Sequence, residues 1–216
     1  SNGKRKSAGC ADKRTVGENW VCVMSGLPDG WFETTIEEVA EIHNVSRIPL
    51  STKQRSKKQG AYPYYGASGI IDYIDEYIFD GEYVLISEDG ENLNTRKTPI
   101  AFKANGKFWV NNHAHIVKGL DSYLNDYLVY YLKNTNLSPY ITGAAQPKLS
   151  KSNLLSIPFI LPENKNEQKS IANILSSFDE KIELLREQNE ILETLAQTIF
   201  KEWFVNFNYP DATGEM

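Results

Sequence analysis

The stretch KIELLREQNEILETL, Lys181 to Leu195, reads as one amphipathic helix, and its reading decides the organisation of the 216-residue chain. No proline or glycine interrupts residues 167–205, so the pattern extends to a helix of nearly forty residues, roughly 58 Å at 1.5 Å per residue. Apolar side chains recur there at alternating spacings of three and four. Placing Leu175, Ile182, Asn189, Ala196 and Trp203 at heptad position a puts Ile171, Phe178, Leu185, Leu192 and Ile199 at d. These ten residues form the expected helix-pairing seam. A lone asparagine in such a seam costs stability yet satisfies its amide in one alignment, so Asn189 is expected to select register and partner number. A helix this long overhangs a body of about 140 residues, whose diameter is about 30–35 Å by size scaling. The seam therefore needs a second helix, in another chain or in a continuation of this one.

Upstream of the helix the pattern is different. IPFILP reads as a strand bounded by prolines, SKSNLLS as a helical turn capped by Ser150 or Ser152, and SYLNDYLVYYLKNT as a helix through Leu124, Leu128, Tyr131 and Leu132. From Ala61 to Val117 short β-like pieces alternate with Gly, Asp and Asn turns, which predicts a mostly-β unit. LPDGWFETTIEEVAEI predicts a turn at Pro28–Gly30, a short strand and a helical turn capped by Thr34 or Thr35. A loop is expected through the basic run KQRSKK, and residues 1–26 read as a polar lead.

Composition bounds the function. Hydrophobic residues make up 41% of the chain and the net charge is −5. The acidity is uneven, because residues 161–216 hold eleven acidic and five basic groups. The remaining body is near neutral with a local basic run, Lys53, Arg55, Lys57 and Lys58, which permits a DNA contact without requiring one. No apolar run has membrane-spanning length and the polar start is not a secretion signal, so a soluble cytoplasmic protein with no membrane partner is expected. Cys10 and Cys22 make no disulfide framework and show no metal-ligand spacing.

Catalytic patterns are scarce. There is no P-loop, GxGxxG or GxSxG. His113-x-His115 is a weak metal signal beside only one other histidine, His43, and no metal site is expected. Asp80, Glu88 and Asp89 imitate a nuclease cluster, but turn and cap roles suit them better. Recognition chemistry is better represented. Loops rich in Lys, Arg, Asn, Gln, Ser and Tyr combine phosphate contacts with bidentate reading of bases. The candidates are STKQRSKKQGAYPYYGASG, NLNTRKT, WVNNHAH and TGAAQPKLSKS.

The blocks LPDGW, YPYYGASGI, FDGEYVLISEDG, TGAAQPKLSKSNLLSIPFILP, EQKSIANILSSFDEKIE and AQTIFKEWFVNF, in that order, carry a resemblance. The chain is similar to one half of the specificity subunit of a type I restriction-modification system. Asn206 departs from the aspartate usual in the family's Phe-Val-Asp-Phe ending. The resemblance implies an α+β target recognition domain over residues 27–162, a long coiled-coil spacer helix over 163–207 and a junction or tail over 208–216. It implies a non-catalytic subunit that reads one half of a bipartite double-stranded DNA target. It also implies docking of modification subunits, which bring S-adenosylmethionine, and restriction subunits, which use ATP and Mg, with no cofactor bound by this chain. The spacer helix is expected to pair with a second one, from another copy or from a missing half. Expected DNA contacts are Lys53, Arg55, Lys57, Lys58, Tyr64, Tyr65, Ser68, Arg96, Lys97, Asn111, Asn112, His113, Gln146 and Lys148. The rival expectations are a coiled-coil adaptor that binds only protein, and the recognition part of a fused restriction-methylation enzyme.

Overall fold

Val84, Leu85 and Ile86 are consecutive and all fully buried, which requires a strand covered on both faces. A computed structural model describes residues 12–16, 19–23, 26–143 and 145–210, and the chain divides between Asn173 and Ile174 into two compact units. In chain order the strands are β1 (Asp12–Val16), β2 (Asn19–Val23), β3 (Trp31–Thr35), β4 (Ala40–Ile42), β5 (Gln59–Gly66), β6 (Gly69–Ile74) and β7 (Phe79–Asp80). There follow β8 (Tyr83–Ser87), β9 (Ala101–Ala104), β10 (Lys107–Val110), β11 (Ala114–Gly119), β12 (Ile141–Thr142), β13 (Lys148–Leu149) and β14 (Pro158–Pro162). The helical segments are α1 (Ile36–Val39), α2 (Thr52–Arg55), α3 (Asn92–Thr95), α4 (Tyr123–Asn134), α5 (Lys151–Leu155) and α6 (Lys165–Phe200).

The antiparallel sheet β4-β11-β8-β9 is the centre of the first unit. Side chains alternate across it with period two. Val84, Ile86 and Val117 face a core built with Leu124, Leu128 and Leu132 of α4 and with Phe159 and Leu161 of β14. Leu85, Ala114 and Ile116 face a second core with Phe79, Phe108 and Val110. That second core belongs to the sheet β6-β5-β10-β7, in which β5 and β10 run parallel. A third sheet, β1-β2-β3-β14, takes two strands from residues read as a polar lead. DKRTV has no apolar alternation, so pairing alone reveals it.

The helix over α4 forms where the spacing predicted it. Its tyrosines do more than pack: Tyr127 donates to Ile160 O at 3.1 Å and Tyr131 to Pro158 O at 2.9 Å, which ties the helix to β14. Burial pushes the Tyr127 hydroxyl up to about 12, so it stays a donor at any ordinary pH. Ser150 caps α5 by accepting from Asn153 N, as expected. Two local expectations need correction. Thr35 stands at the N-cap of α1 without a side-chain bond, while Thr34 Oγ1 donates to the Glu38 carboxylate. The basic run is partly helical, because Ser51 and Gln54 form a reciprocal capping box that starts α2.

Helix α6 is 36 residues long, about 54 Å, and a π-helical turn over Lys201–Val205 follows it. Its first turns belong to the first unit. Gln168 is buried, donates to Pro162 O at 2.6 Å and accepts from the Tyr123 hydroxyl at 3.1 Å. Ala172 is fully buried and Ile171 packs on the same core. Ile171 therefore leaves the expected pairing seam and joins its own domain. In the second unit the remaining seam lies open: Phe178 is 63% exposed and Leu192 60%, and Ile182, Leu185, Asn189, Ala196, Ile199 and Trp203 are also exposed, with Leu175 intermediate. Replacing Phe159 with Ala, which removes the ring between Tyr127 and Tyr131, should cost about 3–5 kcal/mol in urea unfolding of the first unit's transition.

Candidate nucleic-acid interface

Polar loops must leave a doubly covered sheet at the ends of its strands. At one end β8 runs into Glu88–Gly90 and β11 begins after Asn111–His113, so these two loops meet. Glu88 N donates to His113 O at 2.9 Å. The loop before β13 joins them, with Leu149 N donating to Glu88 O at 2.8 Å and Gly90 N to Pro147 O at 3.0 Å. The tip of the β5–β6 hairpin is held there as well, by Ser87 Oγ donating to Ala67 O at 2.6 Å and Asn111 N to Tyr65 O at 3.0 Å. A short 3-10 turn, Asn44–Ser46, closes the group through Arg47.

Glu88 is the electrostatic centre of the cluster. Arg47 Nη1 lies 2.6 Å from its carboxylate and Lys148 Nζ 3.3 Å from the other oxygen. Burial pushes the pKa of this carboxyl up, but the Arg47 hydrogen bond, His115, the Arg47 charge and Lys148 together outweigh burial and hold it below the ordinary glutamate value. His115 is 1% exposed at its side chain. Its Nε2 faces Leu149 O at 2.7 Å, and a carbonyl only accepts, so Nε2 carries the proton and Nδ1 accepts from Asn44 Nδ2 at 2.8 Å. Burial pushes the His115 imidazolium down, with Arg47 and Lys148 adding to it against Leu149 O and Glu88. His113 stands outside the sheet in the turn. Its Nδ1 sits 2.8 and 2.9 Å from the two oxygens of Asp89, and its backbone N–H is held by Asn111 Oδ1 at 2.8 Å.

The expected DNA contacts separate into groups. Ser68, Asn112, His113, Gln146 and Lys148 are exposed on or beside these loops. Asn111 lies under them, buried, with its amide used in the turn. Tyr65 is half-buried against Phe102 and Phe108. Tyr64 must be corrected: it is fully buried, and its hydroxyl is engaged with the backbone of Leu50, so it is a core residue. The basic run sits at the other end of the β5–β6 hairpin. There Lys53 and Lys57 are exposed, Arg55 is bound to Asp72 at 2.9 Å and Leu50 O at 2.8 Å, and Lys58 to Glu76 at 2.5 Å. Arg96, in the left-handed backbone region at φ 48°, donates to Lys133 O and Thr135 O at the end of α4, while Lys97 is exposed. Sequence reasoning missed Arg47, Asn44 and the role of Glu88, whose partners lie 41 or more residues apart. No group of three or more metal-ligating side chains occurs among the described residues.

The two shifts give a pH dependence of one sign. His115 binds its proton less readily in the folded chain than its ordinary value of 6.5, so stability is present above 6.5 and declines as pH falls toward its folded value. Glu88, below 4.5 when folded, adds a further loss as pH falls through its folded value. Urea midpoints from pH 7.5 to 5 should fall in the native chain and flatten in His115→Gln.

A family model described as the type I restriction modification DNA specificity domain matches residues 28–194. A putative type I restriction enzyme specificity subunit of Haemophilus influenzae is 40% identical over 142 residues, 66% of this chain and 36% of that protein. A type I restriction enzyme specificity subunit of Methanocaldococcus jannaschii is 31% identical over 200 residues, 84% of this chain and 45% of that protein. The chain thus spans less than half the length of the curated relatives it matches. The crystal structure of a type I restriction-modification S subunit from M. genitalium shares the fold, with TM-score 0.65 at 18% identity over 86% of this chain and 49% of that one. With its mixed α/β domain, its long C-terminal helix and a family model that matches most of its length, the chain belongs to the type I restriction-modification DNA specificity family.

Proposed function

We propose that this chain is a sequence-specific DNA recognition subunit: its first unit reads one half of a bipartite target through the loops around Asn112, His113, Gln146 and Lys148. The observation that supports this is the set of internally engaged carboxylates beneath them. Glu88 is occupied by Arg47 and Lys148, and Asp89 is hydrogen-bonded to His113, so both carboxylates are engaged within the cluster. Lysine is suited to phosphate, and the free amides of Asn112 and Gln146 have the paired donor and acceptor that adenine presents in the major groove. The chain itself performs no reaction in this reading. Modification subunits bring S-adenosylmethionine and methylate adenine, and restriction subunits use ATP and Mg. The curated relatives are specificity subunits of type I restriction enzymes, and none speaks for a protein-only adaptor or a fused enzyme.

The second unit, in the same reading, pairs with another spacer helix, and charge chooses the alignment. A parallel pair would set Asn189 against Asn189 but bring Lys181 beside Arg186 of the other helix. One antiparallel alignment sets Arg186 against its own copy. Another places Asn189 beside Leu192, Ile182 opposite Ile199 and Phe178 opposite Trp203, and it brings Arg186 to Glu193 and Lys181 to Glu202. That alignment makes flanking charge, with Asn189 as a tolerated polar site, the source of register.

Three measurements test the proposal. Co-expression with the cognate modification subunit, followed by mapping of methylated adenines on plasmid DNA, should yield a split motif; an undefined motif with the complex intact would defeat the recognition reading. Lys148→Gln should weaken binding to all sequences alike and lower the salt slope by about one unit, whereas an effect on one sequence only would assign it to a base. Arg186→Glu should weaken self-association in sedimentation at moderate salt, and Glu193→Arg in the same chain should restore it.

A further inference from the structure

The turn Asn44–Ser46 carries an aliphatic side chain into solvent on a firmly built support. His43 N donates to Ile116 O at 2.8 Å. Asn44 uses both ends of its amide: Oδ1 accepts from Ile116 N at 3.0 Å, and Nδ2 donates to His115 Nδ1 at 2.8 Å. From the other side Arg47 Nε donates to Asn44 O at 3.0 Å, and its Nη1 to Ala114 O at 2.7 Å and to the Glu88 carboxylate at 2.6 Å. Between these anchors Val45 is 97% exposed, more than any other large apolar side chain among the described residues.

One exposed valine is ordinary on a protein surface. The support beneath it is less so. Burying charges carries a desolvation cost, and here the Arg47–Glu88 pair and the buried His115 hold a three-residue turn in place. The turn also borders the recognition loops, since Arg47 Nη1 lies 3.4 Å from Asn112 O and Glu88 receives Lys148. An apolar tip on a hydrogen-bonded turn that borders exposed donors suits a groove in which polar edges surround isolated methyl groups. Thymine's 5-methyl is that group on the major-groove edge. A single side chain covers about one methyl, far short of the roughly 1,000 Å² of a stable protein interface, which favours DNA over a protein partner.

We infer that Val45 is a specificity-determining residue of this domain, making van der Waals contact with the 5-methyl group of a thymine in the recognised half-site. The inference rests on the DNA-recognition reading above. It assigns a role that neither the composition of the loops nor the family resemblance supplies. Val45→Ala removes no packing at this exposure, so the variant should fold as the parent does.

The test uses the complex of the full chain with its cognate modification subunit. After the motif has been mapped on plasmid DNA, synthetic duplexes carry uracil, which lacks the methyl, in place of each half-site thymine in turn, on either strand. One replacement should slow methylation by the parent complex about fourfold, the factor for a methyl-sized apolar contact. The same replacement should leave Val45→Ala, already slower on thymine, unchanged. Equal losses for both proteins, or no loss for the parent at any position, overturn the inference while leaving DNA recognition intact. Failure of Val45→Ala to retain the modification subunit would assign the tip to protein and overturn it too. A parent complex with no defined motif fails at the earlier step, and takes this inference with it.

Discussion

The first unit depends on burying both faces of one four-stranded sheet. Val84 and Ile86 supply one core and Leu85 the other, so the middle of β8 has no position free to carry a polar function. Polar chemistry is forced to the strand ends. At one of these ends Glu88, Asp89, Asn111, Asn112 and His113 follow or precede fully buried residues, and antiparallel pairing of β8 with β11 brings the two loops together. Their close association is a consequence of strand register.

Electrostatics then decides what that end presents. A carboxylate as sheltered as Glu88 survives only with cations beside it, and Arg47 and Lys148 arrive from segments far away in sequence. Their charges are partly spent on Glu88, and His113 is engaged with Asp89 through a hydrogen bond. The outcome is a surface of amides, an imidazole edge and partly matched cations. In the proposed DNA-reading role, such a surface would discriminate between bases by hydrogen-bond pattern more than by bulk charge. The overall charge of −5 is therefore a poor guide to the partner, since much of the acidity lies on residues 161–216.

Helix α6 serves two purposes in succession. Gln168 and Ala172 fasten its first turns to the first unit, which gives the EQKSIAN block a structural meaning: the glutamine amide satisfies Pro162 O at a strand end that lacks another partner in the sheet. Beyond Asn173 the apolar residues remain exposed over many turns, and this is the stripe that the proposed pairing of spacer helices would cover.

The sequence by itself determined the long helix, α4, the β-rich middle and the family, and narrowed the N-cap of α5 to two serines, because each rests on local periodicity, local hydrogen bonds or contiguous blocks. It also indicated WVNNHAH and TGAAQPKLSKS as candidate recognition loops, since their composition is unusual over a few residues. Tertiary structure alone decided which of the candidates share a surface. Tyr64 and Tyr65 are adjacent in sequence, yet pleat and packing send one wholly into the core and leave the other half-covered. Arg55, Lys58 and Arg96 look like free cations in sequence, but carboxylates and carbonyls distant along the chain occupy them. Asn44 and Arg47 carry no local signal at all, and Glu88 reads locally as a turn or cap residue although its partners are Arg47 and Lys148. Their roles depend on long-range strand pairing and on charge satisfaction in a low-dielectric setting, neither of which is encoded in the spacing of neighbouring residues.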